Sequence, residues 1–298
     1  MMLSFAVRRL LSASKQGWTA SKQGWTLPAL AVIAVLGTGM LAGCSSNEDS
    51  LALSTDLASL PADKLYNAGI DSLQAGRYAD AVKRFDAVEQ NYPYASWATK
   101  AQLMHGYAEY KRNHYADAIS ALQRYIQLHP SNPDTAYAYY LRALSYYEEI
   151  SDIERDQSNT EKALAALNDV VVHYPETSYA RDARLKMDLC RDHLAGKEME
   201  VGRWYEGQHM YIAALARFQT VITNYQTTNH TPEALERTTE VYLAMGMKGE
   251  AKRTAEVLGY NYPGNEWYQK AYNQLIENGV VPDKKGKIEQ PGFFSRVF

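Results

Sequence analysis

The sequence predicts an all-α solenoid of about five helix pairs closed by a C-terminal capping helix, and three recurrences predict it. Glycine returns at Gly69 and Gly106, alanine at Ala81 and Ala118, and proline at Pro93 and Pro130, each pair 37 residues apart. Three markers on one period define a repeating unit, and units of this size bury a continuous core only when stacked. Composition agrees. The 298 residues are 46% hydrophobic and 22% charged, as in folded chains. Only 18 Gly and 10 Pro stand against 23 Tyr, which favours helices carrying many amphipathic rings.

The chain opens on a segment that precedes the fold. Residues 27–41 are almost wholly apolar, follow a basic stretch and run into Leu41-Ala42-Gly43-Cys44. The phrase resembles the lipobox of bacterial lipoproteins, in which small residues let the backbone enter a peptidase cleft and the cysteine thiol takes a diacylglycerol. The apolar run is shorter than the roughly 20 residues a membrane span needs. Residues 1–43 are therefore expected to be a signal peptide and Cys44 the lipidated residue, with S-diacylglycerol and N-acyl chains and no other cofactor. Ser45 in place of an aspartate points to the outer membrane, with the body facing the periplasm. The tandem heptad ASKQGWT at 13–19 and 20–26 reads as a duplication without function, and Arg8-Arg9 lies too far from the apolar run for a twin-arginine signal. Residues 44–60 are small and polar, a flexible tether.

Beyond Pro61 the repeats define the elements, expected over 61–278. Gly69, Gly106 and Ala143 supply the small residues needed where paired helices touch. On the second helices Ala81, Ala118, Ala163, Ala214 and Ala251 hold equivalent places, followed by the larger knobs Phe85, Leu122, Leu167 and Phe218. Pro93, Pro130, Pro175 and Pro263 close their units, because proline cannot continue a helix; Gln226 stands in the fourth. Small-knob-proline units of this kind match the tetratricopeptide pattern of two antiparallel helices and a turn. The alanine spacings of 37, 45, 51 and 37 locate the irregularities. About eight extra residues at 151–160 make a polar loop inside repeat three, and a lengthened first helix over about 178–206 separates N-terminal repeats (61–177) from C-terminal ones (178–278). A helix over about 265–277 caps the stack. Residues 279–298 form an extended tail ending Phe293-Phe294-Ser295-Arg296-Val297-Phe298. Cys190 has no partner once Cys44 is acylated, so it is expected to be a small buried hydrophobe.

No catalytic or metal-binding constellation has credible spacing: the seven histidines are scattered, and zinc, nucleophile-elbow and phosphate-loop motifs are absent. An enzyme is not expected. Removing Arg8, Arg9, Lys15 and Lys22 with the leader leaves 27 basic against 34 acidic residues, or −7, which disfavours nucleic acid as a partner. What a solenoid offers is a concave surface lined by first helices. The repeat frame places Tyr66, Ile70 and Gln74 there from repeat one, Lys100, Leu103, Tyr107 and Lys111 from repeat two, and Tyr137, Tyr140, Leu144 and Glu148 from repeat three. Tyrosines give contact area with a hydroxyl, suited to an extended peptide with aromatic side chains, and a lysine suits a terminal carboxylate. In the C-terminal repeats Arg217, Glu240, Met247 and Lys248 are candidate partner-facing residues.

The stretch LYNAGIDSLQAGRYADAVKRFDAVEQNYPYASWATKAQLMHGYAEYKRNHYADAI from Leu65, the pair Tyr92-Pro93 before Ser96-Trp97-Ala98, the loop after Ile150 and the long helix before Tyr211 together resemble the BamD family of lipoproteins over about 44–278. The resemblance implies a non-enzymatic part in the outer-membrane β-barrel assembly machinery. The C-terminal repeats would bind the POTRA region of BamA, the accessory lipoproteins BamC and BamE would be neighbours, and the N-terminal repeats would receive the C-terminal segments of unfolded barrel proteins. The family's BamA-facing basic residue would fall on Arg217. A secretin-escorting pilotin lacks the two insertions, a cell-wall hydrolase would need a catalytic domain that the short tail cannot supply, and a generic periplasmic scaffold is the remaining alternative.

Overall fold

A computed structural model describes residues 60–282. The expected signal peptide, Cys44, nearly all of the tether and the Phe-rich end of the tail lie outside the described residues. The fold is all-α. In chain order the helices are α1 Ala62–Gln74, α2 Tyr78–Asn91, α3 Ser96–Lys111, α4 Tyr115–Leu128, α5 Thr135–Glu148, α6 Ser158–His173, α7 Ser178–Gly207, α8 Tyr211–Asn224, α9 Thr231–Ala244, α10 Lys248–Asn261 and α11 Glu266–Glu277. They make five antiparallel pairs and a cap, each helix packing on its neighbours in sequence.

The repeat markers become packing contacts. Ala81, Ala118, Ala163, Ala214 and Ala251 are all fully buried, and the knobs Phe85, Leu122, Leu167 and Phe218 are almost completely so. Each knob enters the first helix of its own pair at a small residue. A Cβ on Gly69 would lie 2.5 Å from Phe85 Cε1, one on Gly106 2.7 Å from Leu122 Cγ, and one on Gly202 would collide with the Phe218 ring. Repeat five reverses the sizes, pairing buried Thr239 with Ala255 in the same frame.

Second helices end alike. Tyr92, His129, Tyr174, Tyr225 and Tyr262 follow them with φ between −128° and −135°. Proline after the first three and the last disfavours helical backbone there; Tyr225 adopts the same geometry before Gln226. Thr135 and Thr231, opening α5 and α9, bond through Oγ1 to the carbonyls of His129 (2.6 Å) and Tyr225 (3.0 Å), which fixes the angle between successive repeats. Inside repeats one, two, four and five the turn places Gly76, Asn113, His209 and Gly246 in the left-handed region, with φ of 59–75°.

The two irregular segments are built as one unit. The first half of α7 packs Ala183, Met187 and Cys190 against Ala143 and Leu167 of repeat three, while Ala195 and Met199 in its second half pack on Phe218. One 30-residue helix thus serves two repeats. It starts at Thr177, whose Oγ1 accepts from the Ala180 amide at 3.2 Å. The loop between α5 and α6 folds around Gln157, a buried side chain that donates to the carbonyls of Asp152 (3.0 Å) and Arg155 (3.1 Å) and accepts from Thr160 Oγ1 at 2.8 Å. His193 and Lys197 of α7 reach its Ser151 and Glu154 carbonyls at 2.8 and 3.0 Å. Cys190 is 1% exposed, and burial pushes its thiol up to about 11, so it behaves as an apolar group.

Candidate functional site

First helices α1, α3, α5 and α7 follow one another across the stack and carry a run of rings. Tyr66 of α1 lies 5.0 Å from Trp97 of α3 and 5.7 Å from Phe85, and Lys100 sets its Nζ 4.9 Å from the Trp97 ring. Tyr107 and Tyr137 lean on the core around Leu122 and Leu141. Tyr137 and Tyr140 of α5 both pack on Tyr179 of α7, at 5.7 and 5.2 Å. The hydroxyl of Tyr140 donates to Asp182 Oδ2 at 2.5 Å, and Lys186 stands 3.0 Å from the same oxygen. Tyr110 donates to Glu148 Oε1 at 3.2 Å. Burial first, then neighbouring carboxylates or phenols, pushes Tyr110 and Tyr137 up to about 12, so at neutral pH both keep their hydroxyl protons. The surface is a neutral aromatic floor with charges at its edges.

Of the residues expected to line this groove, Tyr66, Tyr107, Tyr137, Tyr140 and the half-buried Ile70 and Leu144 lie on first helices beside one another, while Gln74, Lys100, Lys111 and Glu148 are exposed. Leu103 does not line the groove. It is 7% exposed and packs with Ala118, Leu122 and Leu141, filling the seam between repeats two and three. Tyr110 and Tyr179 belong to the floor although the repeat frame did not single them out. Tyr179 is hidden from that frame because it opens the lengthened helix.

A half-open pocket of about 540 Å³ lies where α5, the loop after it, α7 and the residue before α9 meet, lined by Tyr147, Glu148, Ile150, Ile153, Leu189 and His230 among others. A charge network joins α7, α9 and α11. Arg237 of α9 bonds Glu206 of α7 at 3.2 Å and approaches Glu233, Glu236 and Glu240 at 3.5–3.9 Å. Arg203 joins Glu233 (3.1 Å) to Glu200 (3.0 Å), and Lys270 of α11 reaches Glu236 at 2.9 Å. Five carboxylates face three cations. Glu236 is fully buried, and burial raises it, with Lys270 opposing. Burial, opposed by Arg237, pushes Glu206 up to about 7.

The four expected partner-facing residues do not form one patch. Arg217 lies half exposed on α8, with Nη1 3.1 Å from Glu198 Oε2. Glu240 belongs to the charge network, partly exposed and 3.8 Å from Lys270. Met247 is exposed at the turn before α10. Lys248 is exposed at the start of α10 and donates to the Asn278 carbonyl at 2.6 Å beyond the end of α11. The exposed apolar residues Trp204, Met210, Ile212 and Met245 join Met247 at the intra-repeat turns of repeats four and five. The signal was there in the frame: Met210 and Met247 occupy the position that holds Arg77 and His114 in repeats one and two. Glu109, His114 and Asp117 bring ligand atoms within 4.8 Å of one another, but both Glu109 oxygens already take Arg112 at 2.9 and 3.0 Å.

The family described as YfiO, outer membrane lipoprotein, matches residues 58–258. The chain belongs to this family. Among relatives of this YfiO-family chain, one from Caulobacter vibrioides is 49% identical over 255 residues, covering 86% of this chain and 83% of the relative. One from Rickettsia prowazekii is 43% identical over 249 residues, covering 84% and 96%. Both carry the name outer membrane protein assembly factor BamD, as does a relative from Neisseria meningitidis that is 33% identical over 70% of this chain and 82% of its own. Among solved structures, a tetratricopeptide protein of Thermus thermophilus is similar at a TM-score of 0.35 and 17% identity over 74% of this chain and 100% of its own. The P58(IPK) tetratricopeptide domain is similar at 0.39 and 15% over 84% and 67%. No helix among the described residues of the YfiO-family chain is long and apolar enough to cross a membrane.

Proposed function

We propose that this chain is a non-catalytic component of the outer-membrane β-barrel assembly complex, which binds the POTRA region of BamA and receives the C-terminal targeting segments of unfolded barrel proteins. The observation that carries the reading is family membership alongside relatives named as assembly factors over more than four-fifths of their length. The tyrosine floor supports the substrate part. Rings on adjacent helices with protonated hydroxyls provide apolar area and hydrogen bonds to an extended backbone whose end is aromatic. The apolar turn residues of repeats four and five, with Arg217 on α8, support BamA as the partner of the C-terminal repeats. In this reading lipid on Cys44 holds the chain at the outer membrane facing the periplasm, with BamC and BamE as neighbours and no nucleic acid.

Co-purification of tagged full-length protein from detergent extracts, compared with Arg217→Glu, tests it. The expected dominant partner is a barrel protein with periplasmic POTRA domains, lost on substitution. The Arg217–Glu198 pair is half exposed, and such pairs contribute at most about 1 kcal/mol, so the variant stays folded. A secretin as the dominant partner, or no barrel protein, overturns the reading.

A further inference from the structure

Among the described residues two that are not glycine hold the left-handed region, Asn113 (φ 62°) and His209 (φ 59°), at the turn position that Gly76 and Gly246 fill in repeats one and five. A side chain there strains the backbone, which glycine avoids. Both residues tie the turn in the same way. Asn113 Oδ1 accepts from the Tyr115 hydroxyl at 3.0 Å, and His209 Nδ1 lies 3.1 Å from the Tyr211 hydroxyl. An amide therefore meets the needs of this turn, and the imidazole adds a second nitrogen across the ring. His209 is exposed, and its Nε2 has no partner among the described residues. With Nδ1 accepting from Tyr211, the neutral ring carries its proton on Nε2 and offers a donor. T-shaped packing on Tyr211, at 5.8 Å, holds the ring in place. The surroundings are apolar and open: Trp204 on the last turn of α7, then Met210 and Ile212 on either side of Tyr211. Repeats one and two put Arg77 and Ala79, and His114 and Ala116, where Met210 and Ile212 stand. Arg217 follows Met210 by seven residues, two turns or about 10 Å along the same face of α8.

Resting on the reading of the C-terminal repeats as the BamA-binding part, we propose that His209 is a specificity residue of that interface: its Nε2–H bonds a carboxylate of the POTRA region while Trp204, Met210 and Ile212 bury apolar surface around the bond. A donor nitrogen on the same face as the Arg217 guanidinium favours an anionic acceptor. The apolar surround sets the discrimination, because a partner without the acceptor leaves the imidazole donor buried and unpaired.

Two variants of the full-length protein decide this, each titrated in detergent micelles with the full-length BamA-type barrel protein of the same organism and each unfolded in urea. His209→Asn keeps the turn as repeat two builds it and removes only the imidazole. Its urea midpoint is expected to match or exceed that of wild type while its affinity falls at least five-fold, a combination that a purely structural role would not produce. His209→Glu sets a like charge against the partner's carboxylate and is expected to bind at least five-fold more weakly again. Unchanged affinity in His209→Asn overturns the proposal, as does a loss matched by a lower urea midpoint, which would assign His209 to the turn alone. Equal affinities of the two variants overturn the carboxylate. Absence of binding by wild type instead identifies the BamA reading as the failed premise, and the assignment of His209 falls with it.

Discussion

Gly69 exists so that Phe85 can enter α1: a Cβ there would lie 2.5 Å from the ring's Cε1 and 2.8 Å from Cζ. Gly106 and Leu122, and Gly202 and Phe218, repeat the relationship at the same sixteen-residue separation. Overpacking of this kind costs about 1–3 kcal/mol, and replacing helical glycine by alanine returns up to about 1 kcal/mol of propensity. Gly69→Ala and Gly202→Ala should therefore each lower stability by about 1–2 kcal/mol in urea unfolding. The compensating pair Gly202→Ala/Phe218→Leu should recover most of that loss. A single substitution without effect would show that the ring moves freely and is no determinant of helix spacing.

That relationship also marks how far the sequence could be read. The buried alanine of each second helix locates every helix pair, and the knob and closing proline, where present, confirm the frame, because those residues contact their own pair at fixed separations within it. Gly202 escaped notice because the 30-residue α7 displaces the frame, although it stands sixteen residues before Phe218 like its counterparts. The network from Glu206 through Arg237 and Glu236 to Lys270 escaped for a different reason: it joins three helices, and no local period encodes which charged residue is buried. Glu240 and Lys248 are solvent-accessible as expected, but their contacts with Lys270 and with the Asn278 carbonyl after α11 carry no local signature. Leu103 lay on the expected helix but one seam too deep.

Glu206 makes stability depend on pH. Its carboxyl titrates near 7 in the fold against 4.5 for the ordinary group, burial being the main cause with Arg237 opposing it. An acid with a raised folded pKa binds its proton more tightly when folded, so its effect is neutral below pH 4.5 and destabilising as pH rises toward 7. Glu206→Gln imitates the protonated form. Relative to wild type the variant should gain stability progressively between about pH 4.5 and 7 and level off above, measured by urea midpoints, and a constant difference across that range would contradict the assignment.

Gln157 should hold the repeat-three loop. Its amide makes two hydrogen bonds to loop carbonyls and accepts one from Thr160. Removing such a buried group leaves partners unsatisfied at a cost of about 1–3 kcal/mol, local to a segment whose other ties run through His193 and Lys197. Gln157→Ala should speed limited proteolysis within 151–156 several-fold while helical signal is retained. His193→Ala should do the same to a smaller degree, and no change in either would mean that α7 alone positions the loop.

Tyr140 separates what the ring does from what the hydroxyl does. The ring stacks on Tyr179 while the hydroxyl donates to Asp182, and that bond followed by Lys186 holds the Asp182 carboxyl below the usual carboxylate range. A lowered folded pKa contributes stability above about pH 4, the ordinary value, and loses it as pH falls through the folded one. Tyr140→Phe should therefore move acid unfolding to a higher pH. Peptide binding should respond differently. If ring area binds the segment, Tyr140→Phe stays within two-fold of wild type, whereas Tyr140→Ala, which removes an aromatic anchor worth about 2 kcal/mol or more, weakens binding by at least ten-fold. Equal losses in the two variants would assign the contact to the hydroxyl and its Asp182–Lys186 partners, and the tyrosine floor would then read the peptide backbone rather than its aromatic side chains.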